Sequence, residues 1–159
     1  MEGRQKGFSL IELLIVVAII LIIAAIDVPN FLRAKISANE SSAVSSIHAV
    51  NTAEITYATM YSTIGFSASL ADLGDGGTTP CPGTANAACF IDRNLASGSK
   101  SGYNFTYVQD ASANPSQGYT INADPITNGV TGQRGFFSDQ SNVIRANPTG
   151  AANAGSPPL

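Results

Sequence analysis

The N-terminal part of the chain is a long, nearly uninterrupted apolar stretch. Eighteen of the 21 residues from Phe8 to Val28 are apolar, and the exceptions are Ser9, Glu12 and Asp27. As a helix with a rise of about 1.5 Å per residue, the stretch would span about 31 Å, which matches the hydrocarbon core of a bilayer. Because no Ala-x-Ala cleavage signal follows it, we expect a transmembrane helix that stays on the mature protein rather than a secretory signal peptide.

Apolar residues continue with a helical period from residue 30 to about residue 61. They recur at spacings of seven, four, three, seven and three, with Ser, Asn, Glu and Thr between them: Ile36, Ala43, Ile47, Val50, Tyr57 and Met60. This spacing predicts an amphipathic helix. We therefore expect one long helix whose first half is apolar on all sides and whose second half packs on a sheet.

The rest of the chain predicts a loop followed by antiparallel strands. Segment 62–102 is rich in Gly, Ser, Thr, Ala and Pro, which is typical of a connection, with short helical pieces near 67–73 and 87–96. Apolar and polar residues alternate in 103–146, which predicts a sheet of three or four antiparallel strands. The tail, 147–159, is mostly Ala, Gly, Asn and Pro, and we expect it to be disordered or loosely packed. The predicted fold class is α+β.

Composition agrees with a membrane segment attached to a polar domain. Only 12% of the 159 residues are charged, about half of what is usual in soluble domains, whereas 44% are hydrophobic. The net charge is −3 and the pI is about 4.9, so the chain has no basic excess to offer a phosphate backbone. We expect no direct binding of nucleic acid.

Charged residues around the apolar stretch do not fix its orientation by themselves. Arg4 and Lys6 precede it and Arg33 and Lys35 follow it, so the side-chain counts are tied and only the N-terminal amine favours a cytoplasmic N-terminus. Two cysteines beyond the stretch are a further indication, since they could form a disulfide and disulfides persist in oxidising compartments. They are Cys81 and Cys89.

An acid inside the apolar stretch requires a partner. Glu12 lies four residues into it, and no Lys, Arg or His lies within one helical turn. An ionised carboxylate in hydrocarbon costs several kcal/mol unless it is paired. The partner must therefore come from another chain or be created by processing. The alternative is that Glu12 is an interfacial acid stabilised by the dipole at a helix start.

The sequence KGFSLIELLIVVAII, residues 6–20, resembles the leader and N-terminal segment of type IV prepilins and related pseudopilins. The resemblance implies that a prepilin peptidase cuts after Gly7 on the cytoplasmic side and that Phe8 becomes the methylated N-terminus. It also implies that the new Phe8 α-amine pairs with Glu12 of a neighbouring subunit during assembly. Pro29 stands at the family's conserved position and implies a kink or a local unwinding of the helix there.

The type IV pilin fold implied by this resemblance is a long kinked helix with a small antiparallel sheet of three or four strands. The chain then divides into a leader, a membrane and filament-core half of the helix, an amphipathic half, an αβ-loop, a sheet head and a tail: 1–7, 8–29, 30–61, 62–102, 103–146 and 147–159. The resemblance implies a structural subunit, a major pilin of a homopolymeric filament, with no cofactor. Its further partners are the membrane and the inner-membrane assembly platform. It would pass from the inner membrane, N-terminus cytoplasmic, to an extracellular pilus.

One charge departs from the family pattern. Asp27 stands at a position that is usually apolar in pilins, about 28 Å along a helix from Phe8. One interpretation is an acid at the far headgroup boundary of the membrane. The other is a cap for a restarting helix, or a partner in a neighbouring subunit for Arg33 or Lys35.

Other functions are less favoured by the residues. A type II secretion pseudopilin has the same N-terminus, but its head usually carries a Trp-Gly-Asn-Pro-type string and acidic calcium loops. This chain has no Trp, and Asp124 and Asp139 are isolated. A minor pilin and a membrane-anchored enzyme are further alternatives, although the chain has a single histidine, His48, and no catalytic motif. Zinc binding or a Cys–His nucleophile is disfavoured because the two cysteines have C-x7-C spacing.

Overall fold

The computed structural model describes residues 7–159. Residues 1–6, which make up most of the predicted leader, lie outside the described part. The elements are three helices and five strands: α1 Leu10–Met60, α2 Leu70–Leu73, α3 Arg93–Ala96, β1 Ser99–Lys100, β2 Tyr103–Gln109, β3 Tyr119–Pro125, β4 Gly135–Asp139 and β5 Arg145–Asn147. The chain forms two compact units, one ending at Lys35 and one comprising Ile36–Leu159. The predicted α+β class is confirmed.

The first unit contains the apolar part of α1. Every described residue from 7 to 35 is exposed except Ala24, which is half-buried. By length and composition, α1 is able to cross a membrane. The helix continues through Pro29 without interruption, so this structure does not have the local unwinding expected there; the kink at Pro29 stays a prediction.

The second unit is built on a five-stranded antiparallel meander. Its strand order is β1-β2-β3-β4-β5, so each strand pairs with its neighbours in sequence. Representative partners are Phe105 with Ala123, Ile121 with Ser138, and Phe136 with Ala146. The sequence predicted three or four strands. The additional strand, β1, has only two residues and is too short to show an alternating pattern.

The core lies between one face of this sheet and the part of α1 in the same unit. Aromatic and aliphatic side chains from β2, β3 and β4 meet the predicted apolar positions of the helix, and the fully buried members include Ile47, Val50, Tyr103, Tyr119, Ile121 and Phe136. Met60 departs from the prediction, since it ends the helix and is 60% exposed. The helical period therefore located the packed face correctly up to Tyr57.

Two buried carboxylates tie loops to α1. Glu40 accepts hydrogen bonds from the backbone N–H groups of Gln133 (3.0 Å) and Arg134 (3.2 Å) and from Arg134 Nε (2.8 Å). Burial alone would raise its pKa, but these donors outweigh burial and hold the pKa below its usual range. Glu54 is fully buried and accepts from the Ser67 N–H (3.0 Å) and the Ser67 hydroxyl. There burial dominates and raises the pKa of the carboxyl.

The tail is ordered, so the expectation of a disordered or loosely packed tail is wrong. The Ala146 N–H donates to the Pro157 carbonyl and the Leu159 N–H to the Ile144 carbonyl, each at 3.0 Å, so the tail pairs beside β5. Ala152 is buried, and its carbonyl accepts from Asn122 Nδ2 at 2.7 Å. Most of these contacts are made by backbone groups. Because the prediction for the tail used only its side-chain composition, it could not detect them.

The two buried acids should give opposite pH dependences of stability. Because Glu54 has a raised pKa in the folded chain, it stays protonated above the ordinary value of 4.5, and its contribution to the free energy of unfolding falls as pH rises from there. Glu40, with a lowered pKa, contributes stability above 4.5 that is lost as pH falls through its folded pKa. Urea unfolding of the detergent-solubilised chain measures both, at pH 4 to 8 for Glu54 and below pH 4.5 for Glu40.

Glu54→Gln should therefore flatten the fall in stability toward pH 7. Glu40→Gln, the matched variant, should lower the free energy of unfolding at pH 7 by about 1–3 kcal/mol, with the difference shrinking in acid. Equal pH slopes for Glu54→Gln and the wild type would contradict the raised pKa of Glu54.

Candidate assembly site

The start of α1 carries the glutamate half of a capping box. Ser9 is the residue before the helix, and Glu12 is the third residue inside it. Glu12 Oε2 accepts a hydrogen bond from the Ser9 N–H at 3.2 Å, and the Leu13 N–H donates to the Ser9 carbonyl at 3.3 Å. A Ser-x-x-Glu pattern at a helix start satisfies backbone donors in this way. The Ser-x-x-Glu pattern of residues 9–12 is the sequence signal for this contact, which the resemblance to prepilins alone does not indicate.

The second carboxylate oxygen of Glu12 remains available. Glu12 Oε1 makes no hydrogen bond to any residue between 7 and 159, and the side chain has no ion pair within that range. The carboxylate is therefore stabilised by its own helix end but is not neutralised by a cation there. The position of Glu12 at the helix start agrees with the interpretation that the helix dipole stabilises it. Its Oε1 can in addition accept a cationic partner.

The predicted cleavage site lies in an open segment before the helix. Gly7 and Phe8 have no helix or strand assignment, and the Phe8 side chain is 81% exposed. No atom of residues 9–159 lies within 4 Å of the position that a Cβ on Gly7 would take. Within the described residues, the predicted cleavage site is therefore exposed and belongs to no helix or strand.

The apolar helix that follows is not covered by any other part of residues 7–159. Side chains on all sides of α1 are exposed from Leu10 to Leu32, with exposed fractions of 76% and 48% at those two residues. A helix that is hydrophobic all round belongs in lipid or among other helices. A bilayer or a bundle of copies could therefore cover the surface of residues 10–32.

Three charged residues near the end of the apolar stretch are exposed. Asp27, Arg33 and Lys35 form no ion pair or side-chain hydrogen bond with any residue in the described range 7–159. The nearby Asn30 Nδ2 donates to the Ile26 carbonyl at 3.2 Å instead. Because α1 is continuous here, Asp27 does not cap a restarting helix, and that interpretation is wrong.

The two cysteines form a disulfide in the loop before the sheet. The same segment is held on α1 by the Tyr57 hydroxyl, which donates to the Ala85 carbonyl at 2.8 Å, and by the Tyr61 hydroxyl, which donates to the Gly83 carbonyl at 3.0 Å. The bond uses both thiols, Cys81 and Cys89, so it excludes zinc–thiolate or Cys–His nucleophile chemistry in the oxidised chain. His48 is exposed on α1.

Comparison with known proteins identifies the class of the N-terminal segment. Residues 3–26 match the family model of the prokaryotic N-terminal methylation motif. This match contains Gly7, Phe8 and Glu12, and it confirms the resemblance to type IV prepilins and related proteins. Together with the long apolar helix and the antiparallel sheet, it agrees with the α+β type IV pilin fold.

Three relatives share this segment. The chain is 49% identical over 51 residues to the type IV major pilin protein PilA of Myxococcus xanthus, covering 32% of this chain and 23% of that protein. It is 58% identical over 38 residues to the type IV wide pilus major component PilA4 of Thermus thermophilus, covering 24% and 29%. It is 42% identical over 50 residues to the type II secretion system core protein G of Dickeya chrysanthemi, covering 31% and 33%.

The chain thus aligns with a quarter to a third of the length of these relatives. No solved structure shows a significant match to the chain. Because each alignment covers 51 residues or fewer, most of the head is described here by its own contacts.

Removing the disulfide should destabilise the head. The bond joins cysteines eight positions apart, and closing a loop of that size contributes about 2–3 kcal/mol by the chain-entropy model. Urea unfolding should show a loss of this size for the Cys81→Ser/Cys89→Ser variant and for the wild type in reductant. Reductant should leave the double variant unchanged. A wild type equally stable with and without reductant would contradict the prediction.

Proposed function

We propose that this chain is a structural subunit, the major pilin, of a type IV pilus and not an enzyme. The observation that carries the proposal is the exposed apolar helix whose first turn contains Glu12 inside an N-terminal methylation motif. A prepilin peptidase would cut between Gly7 and Phe8 and the Phe8 amine would be methylated. The precursor would lie in the inner membrane with its N-terminus in the cytoplasm, and an assembly platform would extract it into an extracellular homopolymer.

The proposed assembly step follows from the charges at the helix start. Cleavage after Gly7 creates an α-amine on Phe8, four residues before Glu12. The amine and the carboxylate are each costly alone in apolar surroundings and are stabilised when paired. The pair therefore stabilises two neighbouring subunits most at one axial displacement, the one that brings the Phe8 amine of one subunit to Glu12 of the other. The apolar surface is covered by lipid before assembly and by neighbouring helices after it, and the charged pair selects the register.

A pseudopilin of a type II secretion system is the second candidate. The match to the secretion protein of Dickeya chrysanthemi favours it, since the identity there is 42% over a similar length. The pilin is preferred because Asp124 and Asp139 lie in no group of three or more potential metal ligands within residues 7–159. Electron microscopy after gene deletion separates the two: loss of long surface filaments supports the pilin, and intact filaments with blocked protein export support the pseudopilin.

Replacing Glu12 should block assembly without removing the protein from the membrane. Glu12→Val loses both the cap and the charge, whereas Glu12→Gln keeps an acceptor for the Ser9 N–H and loses only the charge. We expect both variants to yield at least about tenfold less sheared surface filament than the wild type, at equal amounts of membrane-resident protein. Full filament yield from Glu12→Gln would show that the charge of Glu12 is not needed.

The mature N-terminus gives an independent test. Mass spectrometry of sheared filaments should find chains that begin with an N-methylated Phe8 and lack Gly7 and the residues before it. Membrane protein from a strain without the prepilin peptidase is the control and should begin at Met1. Assembled filaments whose subunits still begin at Met1 would contradict the proposed processing.

A further inference from the structure

Two opposite charges at the end of the apolar stretch are six positions apart and have no partner within the described residues 7–159. Asp27 and Arg33 are both exposed. On a helix with about 100° per residue, six residues place two side chains about 120° apart in direction. Ion pairs within one helix need spacings of three or four. These two residues therefore cannot pair along the continuous α1 of one chain.

The surroundings of Asp27 are apolar. Ile23 and Phe31, one turn before and after it, are exposed by 53% and 68%. When a second helix covers these side chains, Asp27 is covered with them and loses its water. A carboxylate buried without a cation is strongly unfavourable, whereas a carboxylate beside a guanidinium is compensated. The partner helix must therefore supply a cation near Asp27.

The axial distances single out one arrangement of two copies. Subunits that leave one membrane in one orientation have parallel helices. If the Phe8 amine of one copy lies level with Glu12 of the next, the copies are displaced by four residues, or about 6 Å. If Asp27 of the first copy lies level with Arg33 of the next, the displacement is six residues, or about 9 Å, in the same direction. The long arginine side chain covers the difference of about 3 Å.

The angular positions distinguish Arg33 from Lys35. Arg33 is 21 residues after Glu12, which places it about 60° from Glu12 around the helix axis, on the same face. Lys35 is 23 residues after Glu12 and lies about 140° away. A neighbour that contacts Glu12 thus contacts Arg33 as well and leaves Lys35 on the far side.

We propose that Asp27 of one subunit pairs with Arg33 of the neighbouring copy, at the same stagger that brings the Phe8 amine to Glu12. This second ion pair rests on the proposed filament function. Before assembly, Asp27 lies about 28 Å along the helix from Phe8, at the headgroup boundary of the membrane, where water stabilises it. In the filament, Arg33 of the neighbour replaces that water. Two pairs at the two ends of the apolar stretch define one register more narrowly than either pair alone.

Charge reversal tests the pair. Asp27→Arg and Arg33→Asp should each lower the yield of sheared filaments at least about tenfold at equal membrane levels. The double variant Asp27→Arg/Arg33→Asp restores opposite charges with the polarity exchanged and should recover most of the wild-type yield. Lys35→Asp is the matched control and should stay within about twofold of the wild type, because exposed charges contribute little. Asp27→Arg/Lys35→Asp should not recover.

Co-expression shows whether the pair joins different chains. A strain that makes both single variants, Asp27→Arg and Arg33→Asp, should assemble more filament than a strain with either alone, since alternating copies offer each other opposite charges. A double variant that does not recover, or co-expression that gives no gain, overturns the Asp27–Arg33 pair. If Glu12→Val still abolishes filaments in that case, the filament function stands. If the wild type forms no filaments, the filament function itself fails.

Discussion

A helix that is apolar on every side has no stable place in water, and this constraint acts on all of residues 10–32. The sixteen large apolar side chains of that segment are exposed by 44% to 76%. Covering them is worth on the order of 20 kcal/mol in total, far more than any single ion pair. A bilayer and a bundle of apolar helices can both supply that cover. Because apolar cover is non-directional, the few charges of the segment would select one of many possible alignments in the proposed filament.

The head meets a different requirement, since it must hold long loops against one helix. Its core supplies the apolar contact, and polar groups spaced along α1 fix individual segments: Glu40 to the backbone at 133–134, Asn51 to Ser138 and Tyr119, Glu54 to Ser67, and Tyr57 to Ala85. Buried polar groups of this kind are costly unless every partner is in place. A loop that shifted would leave a buried acid or amide without donors, so these contacts favour a single arrangement of the head.

Structural features that leave a regular pattern in the sequence were predicted here, and features that leave none were not. The helical period from Ala43 to Tyr57 and the alternation in β2 and β3 arise from burial of one face, and both predicted the observed core. The N-terminal motif predicts roles for Gly7, Phe8 and Glu12 because its residues are contiguous in sequence. The buried acid Glu54 gave no signal, since its partner Ser67 lies in a loop 13 residues away. The tail was misjudged because its contacts use backbone groups, which leave no pattern in side-chain type.

The packed tail has a consequence for how heads behave when many are crowded along one filament. An open sheet edge has unpaired backbone donors and acceptors that can pair with a strand of another molecule, and aggregation often begins there. Here the outer side of β5 is occupied by residues 157–159, and Pro157 and Pro158 have no N–H groups to extend the ladder further. That edge is closed to additional strands, so neighbouring heads and neighbouring fibres can lie side by side without fusing through their sheets there.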